Sequence, residues 1–399
     1  MANDDPLLKW RREFPLVESC RYLINNSLGA MPRATRTRVE RFLDLWDQRG
    51  VRAWHDEWWE LKDEIAISLA GILGVQPDSV SMHQNVAMAS QVLVSCFDFA
   101  GARRKIVYTD MNFPSVMYLY EAQQARGAQI ERVPGTGDGV SIDMQRLLDA
   151  IDEKTLLVPV SHALFRSSYL KDARAIVEKA RKVGAFVILD VFQTVGTVPL
   201  HLAEWGVHAA VGGALKYLCG GPGNCFLYVD PEEAKRLEPG FTGWAAHKDP
   251  FSFSIDGQQY RDDGGRFLNG TPNVPAFYSG LEGIRIISEV GVDAIRAKSQ
   301  RLTSMIIERA QHHGFEVRTP LDPELRSGHV TIHIPKAWEV CQTLLAEDVV
   351  VDYRPNAGIR LSPHFYTKDS EGVEAVDRMA EVLEKGEHLR FVGAPRPLG

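Results

Sequence analysis

One lysine constrains the chain more than any other residue. Gly212-Gly213-Ala214-Leu215-Lys216-Tyr217-Leu218-Cys219-Gly220-Gly221-Pro222-Gly223 sets Lys216 among small residues, just past a run that reads as a strand. A lysine's charge is costly to bury. Glycine lets backbone and a bulky ligand approach closely. A buried lysine also sheds its proton more readily, which makes the amine a nucleophile. Two readings follow: a solvated lysine on a surface turn, or an amine held ready to bond a carbonyl. The partners of Lys216 weigh between them.

The first partner lies upstream. Ala185-Phe186-Val187-Ile188-Leu189 is an apolar run that ends in Asp190 and continues as Val191-Phe192-Gln193-Thr194-Val195-Gly196. An uninterrupted apolar run of this length reads as a buried parallel strand. Asp190 then stands at the strand's carboxyl end, where open α/β sheets bind ligands. Alone, Asp190 could equally cap a helix. Asp190, Gln193 and Lys216 together, all near strand ends, suit pyridoxal phosphate. The aspartate keeps the pyridine nitrogen protonated, and the lysine holds the aldehyde.

The chain's 399 residues, 45 % of them apolar, suffice for a large core and two domains. A net charge of −7 and the lack of a basic stripe argue against a nucleic-acid partner. The cysteines, Cys20, Cys96, Cys219, Cys225 and Cys341, are odd in number and match no zinc spacing. They read as reduced thiols, with no metal site. The start, Met1-Ala2-Asn3-Asp4-Asp5, is acidic and lacks a signal-peptide segment. No apolar run approaches the ~20 residues of a membrane helix. The expectation is a cytoplasmic enzyme with a small-molecule substrate.

Along the chain, Tyr22-Leu23-Ile24-Asn25-Asn26-Ser27-Leu28-Gly29 reads as a short strand entering a polar turn. Pro32 opens a helix with Val39, Phe42, Leu43 and Trp46 on one face. Trp54-His55-Asp56-Glu57-Trp58-Trp59 reads as a core or interface helix, with Trp54 or His55 lining a pocket as the alternative. A helix over 65–73 stops at Gly74. After the strand at Val80-Ser81-Met82, Gln84 and Asn85 lead into a helix whose free N–H groups can take a phosphate. Ordinary capping by Asn85 is compatible with that role. Strands and helices then alternate: strands at 105–109, 129–133, 156–160, 186–190 and 209–212, helices at 116–126, 144–150 and 174–183. This order predicts an α/β fold with a mostly parallel central sheet. Phe226-Leu227-Tyr228-Val229 adds a strand. From about Ala276 two long helices follow, then the alternating run His329-Val330-Thr331-Ile332-His333-Ile334, read as half-buried with solvated histidines, and a last helix at 373–383. The division is an amino-terminal segment 1–60 packing with the small domain, a large cofactor-binding domain 61–274, and a smaller α+β domain 275–399.

Nearly the whole chain resembles a kynureninase-like member of the class-V aminotransferase superfamily, the fold-type-I pyridoxal-phosphate enzymes. The resemblance rests on Tyr22 to Gly29 with Pro32, Asn112-Phe113-Pro114-Ser115, Asp190 to Gly196, Lys216 to Gly223, Gly243-Trp244 with His247, Phe267 to Val274, and Gly358-Ile359-Arg360. It implies that Lys216 bonds the cofactor's aldehyde, Asp190 pairs with its ring nitrogen, and Phe113 stacks on the ring. It gives Gln193 to the ring oxygen, and Gln84 and Asn85 to the phosphate. Trp244 and Thr271 reach the phosphate region from the neighbouring subunit of a homodimer with shared active sites. Arg360 grips the substrate's α-carboxylate, for which a planar guanidinium is suited, with Asn26 and Ser27 beside it.

Three positions depart from the kynureninase pattern. Leu215 stands where those enzymes place a tyrosine directly before the lysine. Val116 stands where they place an aspartate after Phe-Pro-Ser/Thr. Gln193 replaces a usual histidine and matches aminotransferases and desulfurases. A lost acid–base group typically costs ~10²–10⁴-fold. The expectation is a kynureninase-like lyase or hydrolase that cleaves a side-chain bond and works poorly on kynurenine. A class-V aminotransferase is the alternative. A desulfurase ranks third because 355–364 holds no cysteine, and a non-catalytic binding homologue is the remote reading.

Overall fold

The computed structural model describes residues 5–394. The acidic residues 1–4 read above lie outside them. Among the described residues thirteen strands form three sheets. The large sheet contains β2 (Val80–His83), β3 (Lys105–Thr109), β4 (Gln129–Val133), β5 (Thr155–Ser161), β6 (Phe186–Asp190), β7 (Ala209–Gly213) and β8 (Cys225–Val229). Their order is β2-β8-β7-β6-β5-β3-β4. β8 runs antiparallel to both neighbours, and every other pair is parallel. The expected mostly parallel sheet is present.

The central strands are apolar throughout because helices cover both faces. Val158, Val160, Val187 and Leu189 join one hydrophobic core, while Leu157, Phe186 and Ile188 join the core on the opposite face. Each such side chain contributes about 1.5–3 kcal/mol by leaving water. Period-2 alternation therefore feeds two cores from one strand. It also fixes where the strand ends, since the first polar residue after the run, Asp190, must find partners in a dry place.

The second sheet, β12 (Asp352–Arg354), β13 (Gly358–Leu361), β10 (Val330–His333) and β9 (Glu316–Val317), is antiparallel. Helices Val292–His312, Ala337–Leu345 and Asp369–Glu384 close a third core over one face. A parallel pair, β1 (Arg21–Tyr22) with β11 (Val349–Val350), ties the amino-terminal segment to this part. Arg11 with Glu371 and Asp5 with Lys298 add ion pairs there. Helix Val274–Val290 places Ile284 and Ile287 in the core of the large sheet.

Two local expectations are corrected. In helix Thr35–Arg49 the inward face is Phe42 and Leu45, whereas Leu43 and Trp46 are 53 % and 60 % exposed. The helix meets its neighbours along a stripe narrower than the apolar count implied. His329 is fully buried, not solvated. It lies on the face away from Val330 and Ile332, and that face abuts the large domain instead of water: Thr331 donates to the Arg166 carbonyl across the junction. His333, farther along, is exposed as expected.

Candidate active site

The carboxyl ends of β5, β6 and β7 open into a cavity of about 340 Å³. Its lining includes Asn85, Phe113, Asp190, Gln193 and Lys216, brought together from four separate stretches of the sequence. Lys216 follows β7. Its ammonium lies 4.5 Å from the Phe192 ring centre and 5.9 Å from that of Phe113. Burial draws the Lys216 pKa down to about 7; nearby Arg360 pushes the same way, and Asp190 opposes both. The amine is thus far easier to deprotonate than an exposed lysine.

The glycines beside Lys216 pack against protein rather than waiting for a ligand. A Cβ on Gly213 would lie 2.8 Å from the Phe192 ring, and one on Gly29 would lie 2.1 Å from the Lys216 carbonyl oxygen. The Gly29 amide instead donates to the Leu215 carbonyl at 2.9 Å. These close approaches hold the lysine's backbone between the amino-terminal turn and β7.

Asp190 ends β6. Its Oδ1 accepts from the Phe192 amide at 2.9 Å, and its Oδ2 accepts from the Ser161 hydroxyl at 3.4 Å. Burial pushes its pKa up, although the Phe192 amide and Lys216 favour the charged form. A carboxylate in this state gains from a cationic partner. Gln193 donates through Nε2 to the Asn26 carbonyl at 3.2 Å, while its buried Oε1 has no partner. That oxygen is an unpaired buried acceptor in a residue that lines the cavity. The donor set therefore fits a planar group bearing a protonated ring nitrogen, an oxygen substituent and an aldehyde.

Phe113 is half-exposed, with its ring edge-on to Phe165 at 5.2 Å. Asn112 anchors it from behind by donating to the Pro159 carbonyl at 3.0 Å. Asn85 caps helix Val86–Val94, its side chain accepting from the Met88 amide at 2.9 Å. Val86 and Ala87, in the first turn, line the cavity with it. That helix start, with its free amides, borders the cavity.

Gln84, Trp244 and Thr271 are not in this cavity. They line a second one of about 360 Å³, with Trp59 and Phe251. Residues 84 and 85 flank the turn from strand to helix and face opposite ways. Trp244 packs edge-on against Trp59 and Phe251, both at about 5–6 Å between ring centres across this cluster.

Arg360 and Asn26 stand just behind the first cavity. Arg360 is 1 % exposed. Its Nε donates to Asp352 Oδ1 at 2.7 Å, its Nη2 donates to Asp352 Oδ2, and its Nη1 donates to the Phe165 carbonyl at 2.6 Å. With its amide oxygen turned inward, Asn26 accepts from Arg360 Nη1 at 3.1 Å. The chain already supplies a carboxylate to Arg360, a pairing the sequence reading missed. The D-x-R spacing of Asp352 and Arg354 before Arg360, on paired strands, was the available signal. Ser27 sits on the turn after Asn26, half-buried and outside the lining.

The remaining lining is Val86, Ala87, Ser90, Ser115, Val116, Leu119, Ser161, Ala163, Phe165, Phe192 and Leu215. Phe192, Phe165 and Ser161 escaped the sequence reading because an aromatic or serine after a strand is unspecific. All five cysteines are free, and none lines this cavity. Among the described residues no acid, histidine and cysteine cluster is placed to hold a metal, and no helix is long and apolar enough to cross a membrane.

The family model for class-V aminotransferases matches residues 21–351. A kynureninase of Bacillus cereus (strain ATCC 10987 / NRS 248) is 27 % identical, with 97 % of this chain and 94 % of the relative covered. A kynureninase of Geobacillus thermodenitrificans is 28 % identical, with 98 % and 95 % covered. Among solved structures, an apo cysteine desulfurase from Thermococcus onnurineus NA1 superposes with a TM-score of 0.83 at 19 % identity, covering 94 % of this chain and 98 % of that one. The cystine C–S lyase C-DES, in complex with cysteine persulfide, also reaches 0.83 at 18 % identity, covering 92 % and 99 %.

Proposed function

The chain belongs to the class-V aminotransferase family, and from that premise we propose that it is a pyridoxal-phosphate enzyme that cleaves a side-chain bond of an α-amino acid other than kynurenine. One observation carries the reading: Lys216, Asp190 and the unpaired Gln193 Oε1 share a cavity whose remaining wall is apolar at Val116, Leu119 and Leu215. Pyridoxal phosphate, when bound, supplies an electron sink for charge developing at the substrate's α carbon.

The chain's own groups do the rest. Lys216 would hold the aldehyde, and its Nζ would take and return the substrate's α-proton. Its lowered pKa suits both tasks near neutral pH. Asp190 holds the proton on the ring nitrogen. Gln193 donates to, or accepts from, the ring oxygen according to its amide orientation. Asn85 and the amides of the helix start hold the phosphate. Phe113 covers the ring. Arg360, already charge-balanced by Asp352, keeps one Nη2 hydrogen for the α-carboxylate, with Asn26 fixing its plane.

The apolar wall decides the leaving group. Leu215 and Val116 neither donate nor accept a hydrogen bond, so a departing carbanion finds no side-chain acid there. A leaving group that needs no such acid fits better. A transaminase outcome remains the second reading, because loss of the α-proton alone also needs nothing from that wall.

Trp244, Thr271 and Gln84 belong to the proposed homodimer. The aromatic cluster at the second cavity continues into exposed Phe251 and Phe253, an apolar patch suited to a second copy of the chain. We place the enzyme in the cytoplasm, consistent with five unpaired cysteines. The test is a panel of amino acids given to the loaded enzyme, with products identified by mass. A side-chain fragment supports the reading, an oxo acid with the side chain intact supports the transaminase, and no product from any amino acid overturns both. Sedimentation at micromolar concentration should give a dimer; a fully loaded, active monomer would contradict the shared site.

A further inference from the structure

Ser161 stands between Asp190 and a second buried lysine. Lys171 is 2 % exposed. Its ammonium donates to one acceptor, the Ser161 carbonyl, at 2.7 Å. The hydroxyl of the same serine donates to Asp190 Oδ2. The Lys171 amide donates to the His162 carbonyl at 2.9 Å, which pins this segment to the end of β5. A buried lysine ordinarily lies against a carboxylate. Lys171 makes no ion pair among the described residues, and the acid that acts on it is Asp190.

The other charged groups nearby do not change this balance. Arg296 spends its guanidinium on the Arg326 and Pro323 carbonyls, both at 2.7 Å. The His162 ring shares a hydrogen bond with Thr194 at 3.1 Å, and burial holds it neutral, with a pKa lowered to about 3. Lys216 faces Asp190 from the cavity side. Asp190 thus has positive charge behind it before any cofactor arrives in front.

We propose that Lys171 is a positioning residue that competes with the cofactor's ring nitrogen for the Asp190 carboxylate, and so sets how tightly the ring holds its proton. The proposal rests on pyridoxal phosphate being the cofactor. Two cations on either side of one carboxylate repel each other, and a dry interior screens that repulsion poorly. Protonation of the ring nitrogen is therefore easier when Lys171 is neutral. Burial brings Lys171 to a pKa of about 7, so near neutral pH the lysine is close to releasing its proton when a second cation appears. The device weakens the electron sink relative to an aspartate with nothing behind it. It restrains the α-carbon chemistry of a site whose wall cannot quench a carbanion.

The test uses the full protein loaded with pyridoxal phosphate labelled with ¹⁵N in the ring. The ring ¹⁵N shift is followed against pH for wild type, Lys171→Met and Lys171→Arg. In Lys171→Met the ring proton should persist about one pH unit higher, a roughly tenfold gain in proton affinity. Lys171→Arg, whose charge cannot be released, should lose the ring proton at a lower pH than wild type. Should Lys171→Met fail to fold, Lys171→Gln can still donate to the Ser161 carbonyl, and the same upward shift is expected. A purely structural lysine would lower the melting temperature or the cofactor occupancy and leave the midpoint unmoved. An unmoved midpoint in a loaded, folded neutral variant overturns this proposal alone. A wild-type protein that takes up no cofactor overturns the cofactor reading, and this proposal with it.

Discussion

The two sides of the Lys216 cavity are built on opposite principles. On one side, Asp190 and Gln193 are buried and Lys216 half-buried: burial favours the neutral forms of Asp190 and Lys216, and Gln193 Oε1 has no partner. On the other, Val116, Leu119 and Leu215 present hydrocarbon. The first side is costly to build, since each under-satisfied buried group sacrifices stability; the second costs nothing. The contrast separates two functions that share one cavity. Holding the cofactor demands a fixed set of polar atoms, while choosing the leaving group can change through two or three apolar substitutions.

The largest effect should come from the polar side. Lys216→Ala should abolish turnover by ~10⁴-fold or more. In wild type, borohydride reduction followed by peptide mapping should place the pyridoxyl label on Lys216; a label on another lysine would break the contrast at its root. Asp190→Asn keeps the shape and removes the charge. It should reduce turnover by ~10²–10³-fold, since the ring nitrogen loses its ionic partner. A variant with wild-type turnover would mean that the ring works unprotonated.

The apolar side predicts a gain. Leu215→Tyr returns a proton donor to the wall, and kynurenine turnover should rise about tenfold, the low end of an acid–base contribution. No change would show that the wall does not limit the reaction.

A separate effect is on stability. In the apoprotein, the Lys216 pKa falls from 10.5 unfolded to about 7 folded. Between those values the unfolded chain holds a proton that the folded chain has released, so stability rises with pH across that window. Below about pH 7 both states are protonated and the full cost of the buried ammonium is present. Apo Lys216→Met should therefore exceed wild type by ~2–4 kcal/mol at pH 6, narrowing toward pH 10. Urea titrations at the two pH values read this directly. A constant difference would mean that the ammonium is not desolvated.

Much of this was readable in the residues. β6 follows its apolar run from Phe186 to Asp190, because a strand buried on both faces has no reason to alternate. The Lys216, Asp190 and Gln193 cluster was legible because each residue follows a strand that brings its end to the same edge. The Asp352 pairing with Arg360 was not. It depends on the β12–β13 register, which places residues eight apart directly opposite each other. Gln84 and Asn85 line different cavities because adjacent residues at a strand-to-helix turn diverge, and no sequence pattern states which way each goes. His329 was misjudged because alternation reports that a face is polar, not that a second domain covers it.

The central claim is that cofactor chemistry is intact while the kynurenine-cleaving side is not. Steady-state kcat/KM for kynurenine and 3-hydroxykynurenine, measured beside the best amino acid from the panel, tests it most directly. The account predicts a kynurenine value at least ~10²-fold below that amino acid, the smallest usual cost of a lost acid–base group. A kynurenine kcat/KM of ~10⁴ M⁻¹s⁻¹ or more, equal to or above every other amino acid, would contradict it.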